Sequence, residues 1–372
     1  MKKVIASLFA LALLLLGAPI ANAATVEITI SEPSHREIDG DFIDDELTAL
    51  LSYGGRLGQL VFNPPRGIRT WFIDAQFIEE VTAMTSDYII SGGEKGVGSN
   101  VAKNWLSQLT AISRSDQINA LPFGSPPAYW VSKLSPDKSD FYLSYGAKRL
   151  TTLLNRPVNQ MLDYPQLPYP KLKNSEINSY KKAQQALALN STFMTIAEVE
   201  NFQGQSAAVL HNGLVESNRR ALALDLLSSS YALSEKIRLA PGRFTVTSSK
   251  QNLPITLVND FPNPAKVSLR VETLNGKVLV GNVPNQIVDG DSKIQIMIPV
   301  EVVTSGKSTL VVSLFSEKNK QLGKPVFYPI TLQVISPIAT WITTGGAIVL
   351  FVSALIQSFR RIKKKRGQVA NE

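Results

Sequence analysis

The chain has 372 residues, 44% of them hydrophobic and 18% charged, with a formal net charge of +8 and no cysteine. That length can bury a sizeable core without disulfides, and the missing thiols exclude cysteine nucleophiles, iron–sulfur clusters and thiolate zinc sites. Eight of the 38 Lys and Arg residues lie at 2–3 and 360–366, and one of the 30 Asp and Glu residues is Glu372, so the stretch between carries about +1 and gives no case for a nucleic-acid partner.

In chain order, the first signal is Lys2-Lys3, an apolar run from Val4 to Gly17, and Ala21-Asn22-Ala23. A basic start, a short apolar core and an A-x-A site predict a secretory signal peptide over 1–23 and export of the chain beyond it.

From 24 to 238 short apolar runs alternate with helical patterns. Predicted strands are "VEITI" (26–30), "GQLVF" (58–62), "TWFI" (70–73), "YII" (88–90), "NALPF" (119–123), "NQMLDY" (159–164), "ALALN" (186–190) and "AAVL" (207–210). Predicted helices cover 44–52, 75–84, 100–113, 143–154, 175–185 and 214–236, the last on the helical spacing of Leu222, Leu226, Leu227 and Leu233. Strands alternating with helices imply parallel βαβ units. About eight of them suit an α/β fold of the (β/α) barrel type, or an incomplete barrel.

From 239 to 334 the pattern turns to β-runs separated by turns. Ile294, Ile296, Ile298 and Val300 alternate with period two, and Leu274-Asn275-Gly276 and Asp289-Gly290-Asp291 mark turns. About seven strands in this length predict an immunoglobulin-like β-sandwich, without the Cys…Trp…Cys core of antibody domains. It serves either as a stalk or as a loop-borne binding module.

The stretch 337–359 is uncharged and long enough to cross a hydrocarbon core of about 30 Å, with Trp341 at the outer interface. The tail 360–372 opens with "RRIKKKR", which predicts a cytoplasmic side and contact with anionic lipid. A single-pass cell-membrane protein with its larger domains outside the cytoplasm is the expectation.

Several motifs together resemble one family. They are "GGRLGQLV" (54–61), "TWFIDAQFIEEV" (70–81), "GVGSNVAKNWLSQL" (96–109), "NALPFGSP" (119–126) and "FTVTSSKQNLPITLVNDFPNPAKVSLRV" (244–271). The chain is similar, from about residue 39 to the tail, to an uncharacterised actinobacterial family of exported single-span envelope proteins. Its typical members are longer and have no established activity. The resemblance implies envelope biogenesis, because genes of the family lie near a flippase for the lipid-linked peptidoglycan precursor. Relatives tend to be acidic just after the "LPF" strand, where this chain has Gly124-Ser125-Pro126-Pro127.

Parallel α/β folds gather their sites at the carboxyl ends of strands. The polar residues expected there are Asp74, Ser125, Asp163, Asn190 and His211. Asp74 and Asp163 are candidate carboxylates for glycoside cleavage, which needs an acid and a base or nucleophile. Asp74 equally suits the N-cap of the helix after it, and Asp163 a turn. The two histidines, His35 and His211, are far apart and form no H-x-x-x-H, so neither a metal nor a cofactor is expected. "IDGDFIDDE" (38–46) lacks the spacing of a calcium loop and reads as a turn into an acid-rich helix start. "SGGEKGVGS" (91–99) fits neither phosphate-loop pattern and reads as a flexible loop. No G-x-S-x-G elbow accompanies a Ser–His–Asp set, and Trp71, Trp105 and Trp130 suit core packing or sugar stacking.

Three functions stay open: a non-enzymatic envelope protein binding peptidoglycan, other wall glycan or a membrane protein of wall synthesis; a glycan hydrolase using Asp74 and Asp163; and a structural spacer with a decayed enzyme domain. Its other expected partner is the lipid bilayer, through the one span.

Overall fold

Residues 25–333 and 337–368 are described by the structure, a computed structural model, with side chains of the last helix described over 344–360. The chain divides into two units, Met1–Ala188 with Ile196–Leu233, and Leu189–Thr195 with Ser234–Glu372.

In the first unit β1 (Val26–Ile30) leads to α1 (Glu46–Leu51) and α2 (Arg56–Phe62), then to β2 (Arg69–Ile73) and α3 (Ala75–Met84). The two-residue strands β3 (Ile89–Ile90) and β4 (Glu94–Lys95) pair with each other, followed by α4 (Ser99–Ile112) and β5 (Gln117–Ala120). Then come α5 (Ala128–Leu134), α6 (Ser139–Leu154), β6 (Asn159–Gln160), α7 (Asn174–Asn190), α8 (Ile196–Ser206), a 3-10 turn at Ala207–Leu210, and α9 (Glu216–Glu235).

The main sheet has the order β1-β2-β5-β6, with every pair parallel. Because side chains alternate along a strand, one face carries Ile28, Ile30, Trp71, Ile73, Ile118 and Ala120, all buried. That face shares a core with Leu47, Leu51, Leu57, Val61, Phe77, Ile78, Val81, Trp105 and Leu109 from the helices. Phe77 and Trp105 meet edge to face at 5.6 Å, and each large apolar side chain buried here contributes about 1.5–3 kcal/mol. The indoles keep polar partners: Trp105 Nε1 donates to Leu57 O at 3.0 Å and Trp71 Nε1 to Asp116 Oδ2 at 2.8 Å.

The expected barrel is corrected by this sheet, which has four strands. "GQLVF" lies in α2, where Leu57 and Val61 are buried one helical turn apart. "ALALN" is the end of α7, and "AAVL" is the 3-10 turn. Each is a short apolar run, which periodicity alone does not separate from buried helix. "YII" supplies β3, which belongs to the separate two-stranded sheet.

The second unit is β-sandwich-like. It has a five-stranded sheet in the order β12-β10-β14-β15-β8 and a four-stranded sheet in the order β11-β13-β9-β7. The strands are β7 (Ile237–Leu239), β8 (Phe244–Val246), β9 (Lys250–Asn259), β10 (Ala265–Thr273), β11 (Val278–Val280), β12 (Gln286–Val288), β13 (Ser292–Val302), β14 (Gly306–Ser316) and β15 (Gln321–Leu332). All pairs are antiparallel except β15 with β8. Leu253, Ile255 and Leu257 on β9, Ile296, Ile298 and Val300 on β13, and Leu310, Val312 and Leu314 on β14 are buried at every second position. Asn259 ends β9 fully buried. Its Nδ2 donates to Asn263 O and Asp289 O at 2.9 and 3.0 Å, and its Oδ1 accepts from Phe261 N at 3.0 Å.

The last helix, α10 (Pro337–Gln368), carries exposed Ile348–Val352, Leu355, Ile356 and Phe359. Among the described residues no helix is long and apolar enough to cross a membrane, which corrects the expected span at 337–359. The first residues of that stretch lie outside the described side chains, and the expected signal peptide at 1–23 lies outside the described residues altogether.

Candidate functional site

Three neighbouring parallel strands end in polar residues. Ser31 comes after β1, Asp74 after β2, and Gly124-Ser125 one turn after β5. Asp74 is fully buried and caps α3, its Oδ1 accepting from Gln76 N at 2.9 Å. The same oxygen accepts from Gly124 N at 3.0 Å, and Oδ2 accepts from Ser125 Oγ at 2.7 Å. Capping and the strand-end position therefore coexist in one carboxylate.

The Gly124-Ser125 turn is built for this contact. Both residues have positive φ, 73° and 42°, a conformation costly for serine. A Cβ on residue 124 would also run into Gln76 Oε1. The strain is held by the Asp74 bonds and by Ser125 N donating to Pro122 O at 2.8 Å.

The network continues outward. Ser31 Oγ donates to Ser125 Oγ at 3.2 Å, and His211 Nε2 lies 3.5 Å from Ser31 Oγ, a long contact. His211 Nδ1 accepts from Gly213 N at 3.0 Å. Nδ1 is therefore unprotonated and Nε2 carries the hydrogen. Burial, with Arg219 nearby, pushes the imidazole down to about 4, so it is neutral at physiological pH. A histidine in this tautomer has no lone pair facing Ser31 and cannot act as its general base.

Beside Asp74 lies a second buried carboxylate, Glu80. Its Oε1 accepts from Ser34 Oγ at 2.6 Å and Gln76 Nε2 at 3.4 Å, and Oε2 accepts from His35 N at 3.0 Å. Burial raises Asp74 to about 6 and Glu80 to about 7, against the opposing effect of these hydrogen bonds. A half-closed cleft next to Glu80 is lined by Ser34, Arg36, Gln76, Glu79 and Gln205. Gln205 Oε1 is buried there without a partner among the described residues, and the enclosed volume of about 20 Å³ fits one water.

Of the five expected site residues, the structure joins Asp74, Ser125 and His211, through Ser31. Asp163 is exposed beyond β6, and among the described residues no hydrogen bond links it to Asp74. Asn190 is buried and belongs to the second unit. Ser31, Gln76 and Glu80 escape the sequence reading. Gln76 and Glu80 had a signal: they sit at i and i+4 within the buried stripe Phe77, Val81 and Met84 of α3, where a solvated face would not place them.

Among the described residues of the first unit, the other face of the main sheet is only partly covered. Pairing sets Thr29, Phe72, Asn119 and Asn159 in one row across all four strands, with Glu27, Thr70 and Gln117 in the next. Glu27, Thr29, Gln117 and Asn159 are exposed, and Phe72 and Asn119 half-buried. All-parallel sheets are otherwise covered on both faces. A shallow groove, largely open to solvent, runs along the β2, β5 and β6 part of this face, lined by Phe72, Gln117, Asn119, Asn159, Gln160 and Asp163, with Val158, Met161 and Leu162. Gln117 Nε2 donates to Asn119 Oδ1 at 3.3 Å.

A family model described as Family of unknown function (DUF6049) matches residues 148–368, more than half of the chain. No curated protein matches it. Among solved structures, WR4, an MSP family member of C. elegans, is 13% identical over 26% of this chain and 97% of its own, with a TM-score of 0.21. The alpha-2-macroglobulin of E. coli in its native conformation is 14% identical over 26% of this chain and 6% of its own, TM-score 0.21. The PapD-like domain 7 of human CEP192 is 11% identical over 27% and 85%, TM-score 0.22. These likenesses are confined to about a quarter of the chain, and nothing about function follows from them.

Proposed function

The chain belongs to the family of unknown function DUF6049, and from that premise we propose that it is an exported, non-catalytic glycan-binding protein of the cell envelope. The observation that carries this reading is the row Phe72–Asn119–Asn159 on the parallel sheet, half-buried at Phe72 and Asn119 and exposed at Asn159. Carboxamides both donate and accept hydrogen bonds, which matches neighbouring sugar hydroxyls. The Phe72 ring offers an apolar face to the C–H face of a sugar, and Asp163 adds an acceptor at the rim. The leader-like segment 1–23 and the resemblance to envelope proteins favour wall glycan as the source.

The strand-end network supports a binding role over a hydrolytic one. Asp74 accepts from three donors of the fold and is fully buried, with no exposure to a substrate. Hydrolysis by Asp74 and Asp163 needs both carboxyls to flank one glycosidic bond. Here one is sealed in the fold and the other stands on an open groove. The network's role is to hold the loops after β1, β2 and β5.

The test is calorimetric titration of the full chain with soluble peptidoglycan fragments and with neutral oligosaccharides. Saturable binding that falls at least about tenfold in Asn119→Ala and Asn159→Ala supports the reading. Absence of binding to both ligand classes, or equal binding by the variants, rejects it.

A further inference from the structure

Residues 35–44 fold back on themselves. Arg36 and Phe42 form an antiparallel bridge, Glu37 N donates to Asp41 O at 2.8 Å, and Ile43 N donates to His35 O at 2.8 Å. This turn brings His35 Nδ1 to 2.7 Å from Asp44 Oδ1. Two residues on, Glu46 opens α1, and its N–H donates to the same Asp44 oxygen at 3.1 Å. The ligand atoms of His35, Asp44 and Glu46 all lie within 4.8 Å of one another.

Contacts from outside the trio hold two of its members, His35 and Asp44. Glu80, on α3, holds the backbone N–H of His35 at 3.0 Å. Asn218, on α9, donates through Nδ2 to the other Asp44 oxygen at 3.0 Å. Such outer partners aim metal-binding side chains and tune their basicity. Exposure rises across the trio, from buried His35 through half-buried Asp44 to exposed Glu46, so one side is open to solvent.

We propose that His35, Asp44 and Glu46 bind a divalent transition-metal ion of the Zn²⁺ class, with water completing the coordination. One imidazole with two carboxylates suits Zn²⁺ or Co²⁺ better than Ca²⁺ or Mg²⁺, which take oxygen ligands throughout. The Nδ1 proton now shared with Asp44 occupies the ion's place. Metal entry breaks that N–H bond, and the freed ring lone pair and the Asp44 oxygen bind the ion; from an imidazolium the proton passes to solvent, and from a neutral ring it moves to Nε2, leaving a neutral imidazole as ligand in either case. Metal bonds of about 2.0–2.1 Å set tetrahedral ligands about 3.3 Å apart, so the pair opens slightly from 2.7 Å.

The test is Co²⁺ titration of the full chain monitored by its visible absorption bands, with Zn²⁺ as competitor and calorimetry in two buffers to read proton release. Expected are one saturable Co²⁺ site displaced by Zn²⁺, release of up to one proton, and affinity at least about tenfold lower in Glu46→Gln. Because Glu46 is exposed, that variant keeps the fold, whereas His35→Ala also removes a buried side chain. Absence of saturable binding, or an unchanged Glu46→Gln titration, overturns the proposal.

Discussion

In the second unit, β9, β13 and β14 bury every second side chain and leave the alternate ones half-buried or, as at Met297 and Lys293 of β13, exposed. In the first unit, β1, β2 and β5 show the same alternation, yet their sheet is wholly parallel. The same pattern has two meanings. Antiparallel sheets commonly leave one face in water, so the outer faces of the second unit need no further account. Parallel sheets rarely do, and the partly covered face of the first unit is also the one that gathers Phe72 and carboxamides over a groove. The second unit is thus scaffold and the first carries the recognition surface, so substitutions in the two units have different effects.

The largest effect is expected at Asp74. Asp74→Ala leaves Gln76 N, Gly124 N and Ser125 Oγ without their acceptor in a dry site, and destabilises the first unit by about 3–5 kcal/mol in urea unfolding. A loss under about 1 kcal/mol would mean that water replaces the carboxylate and the network is no framework.

Leu257→Ala, in the core of the second unit, costs about 2–5 kcal/mol by the cavity it opens and leaves glycan titration unchanged. Loss of binding in that variant would place recognition on the wrong unit.

Stability of the first unit also depends on pH. Glu80 titrates near 7 when folded and near its ordinary value, about 4.5, when unfolded. Between those values the folded state holds the extra proton, so this contribution is present at low pH and declines as pH rises from about 4.5 to 7. Its size is on the order of 3 kcal/mol. Asp74 acts in the same direction up to about 6, and His211, pushed down to about 4, acts in the opposite direction. Unfolding measured across this range shows a smaller decline in Glu80→Gln than in the parent chain; parallel curves would refute the assignment.

The smallest effect is expected on the partly covered face. Asn159→Ala, exposed and outside the buried core, changes stability by no more than about 0.5 kcal/mol by the same urea measurement. A larger loss would make the row structural.

Local patterns carried much of this. Helix 75–84 was legible in "AQFIEEVTAM", and Asp74 as its cap, because apolar spacing and an N-cap side chain are local features. Strand β1 was legible for the same reason. The barrel was not, because "GQLVF", "ALALN" and "AAVL" are apolar enough for a strand and become helical or turn only through the positions they bury. Ser31 and His211 meet across 180 residues, a juxtaposition that no spacing in the chain encodes. His35 and Asp44 were nearer in sequence, but their meeting depends on the tight turn between them.

Glycan binding on the parallel sheet is read out by hydrogen exchange of the full chain with and without bound peptidoglycan fragments. New protection is expected over 69–73, 117–120 and 158–163, with the second unit unchanged. Protection confined to 234–333, or none at saturating ligand, would contradict it.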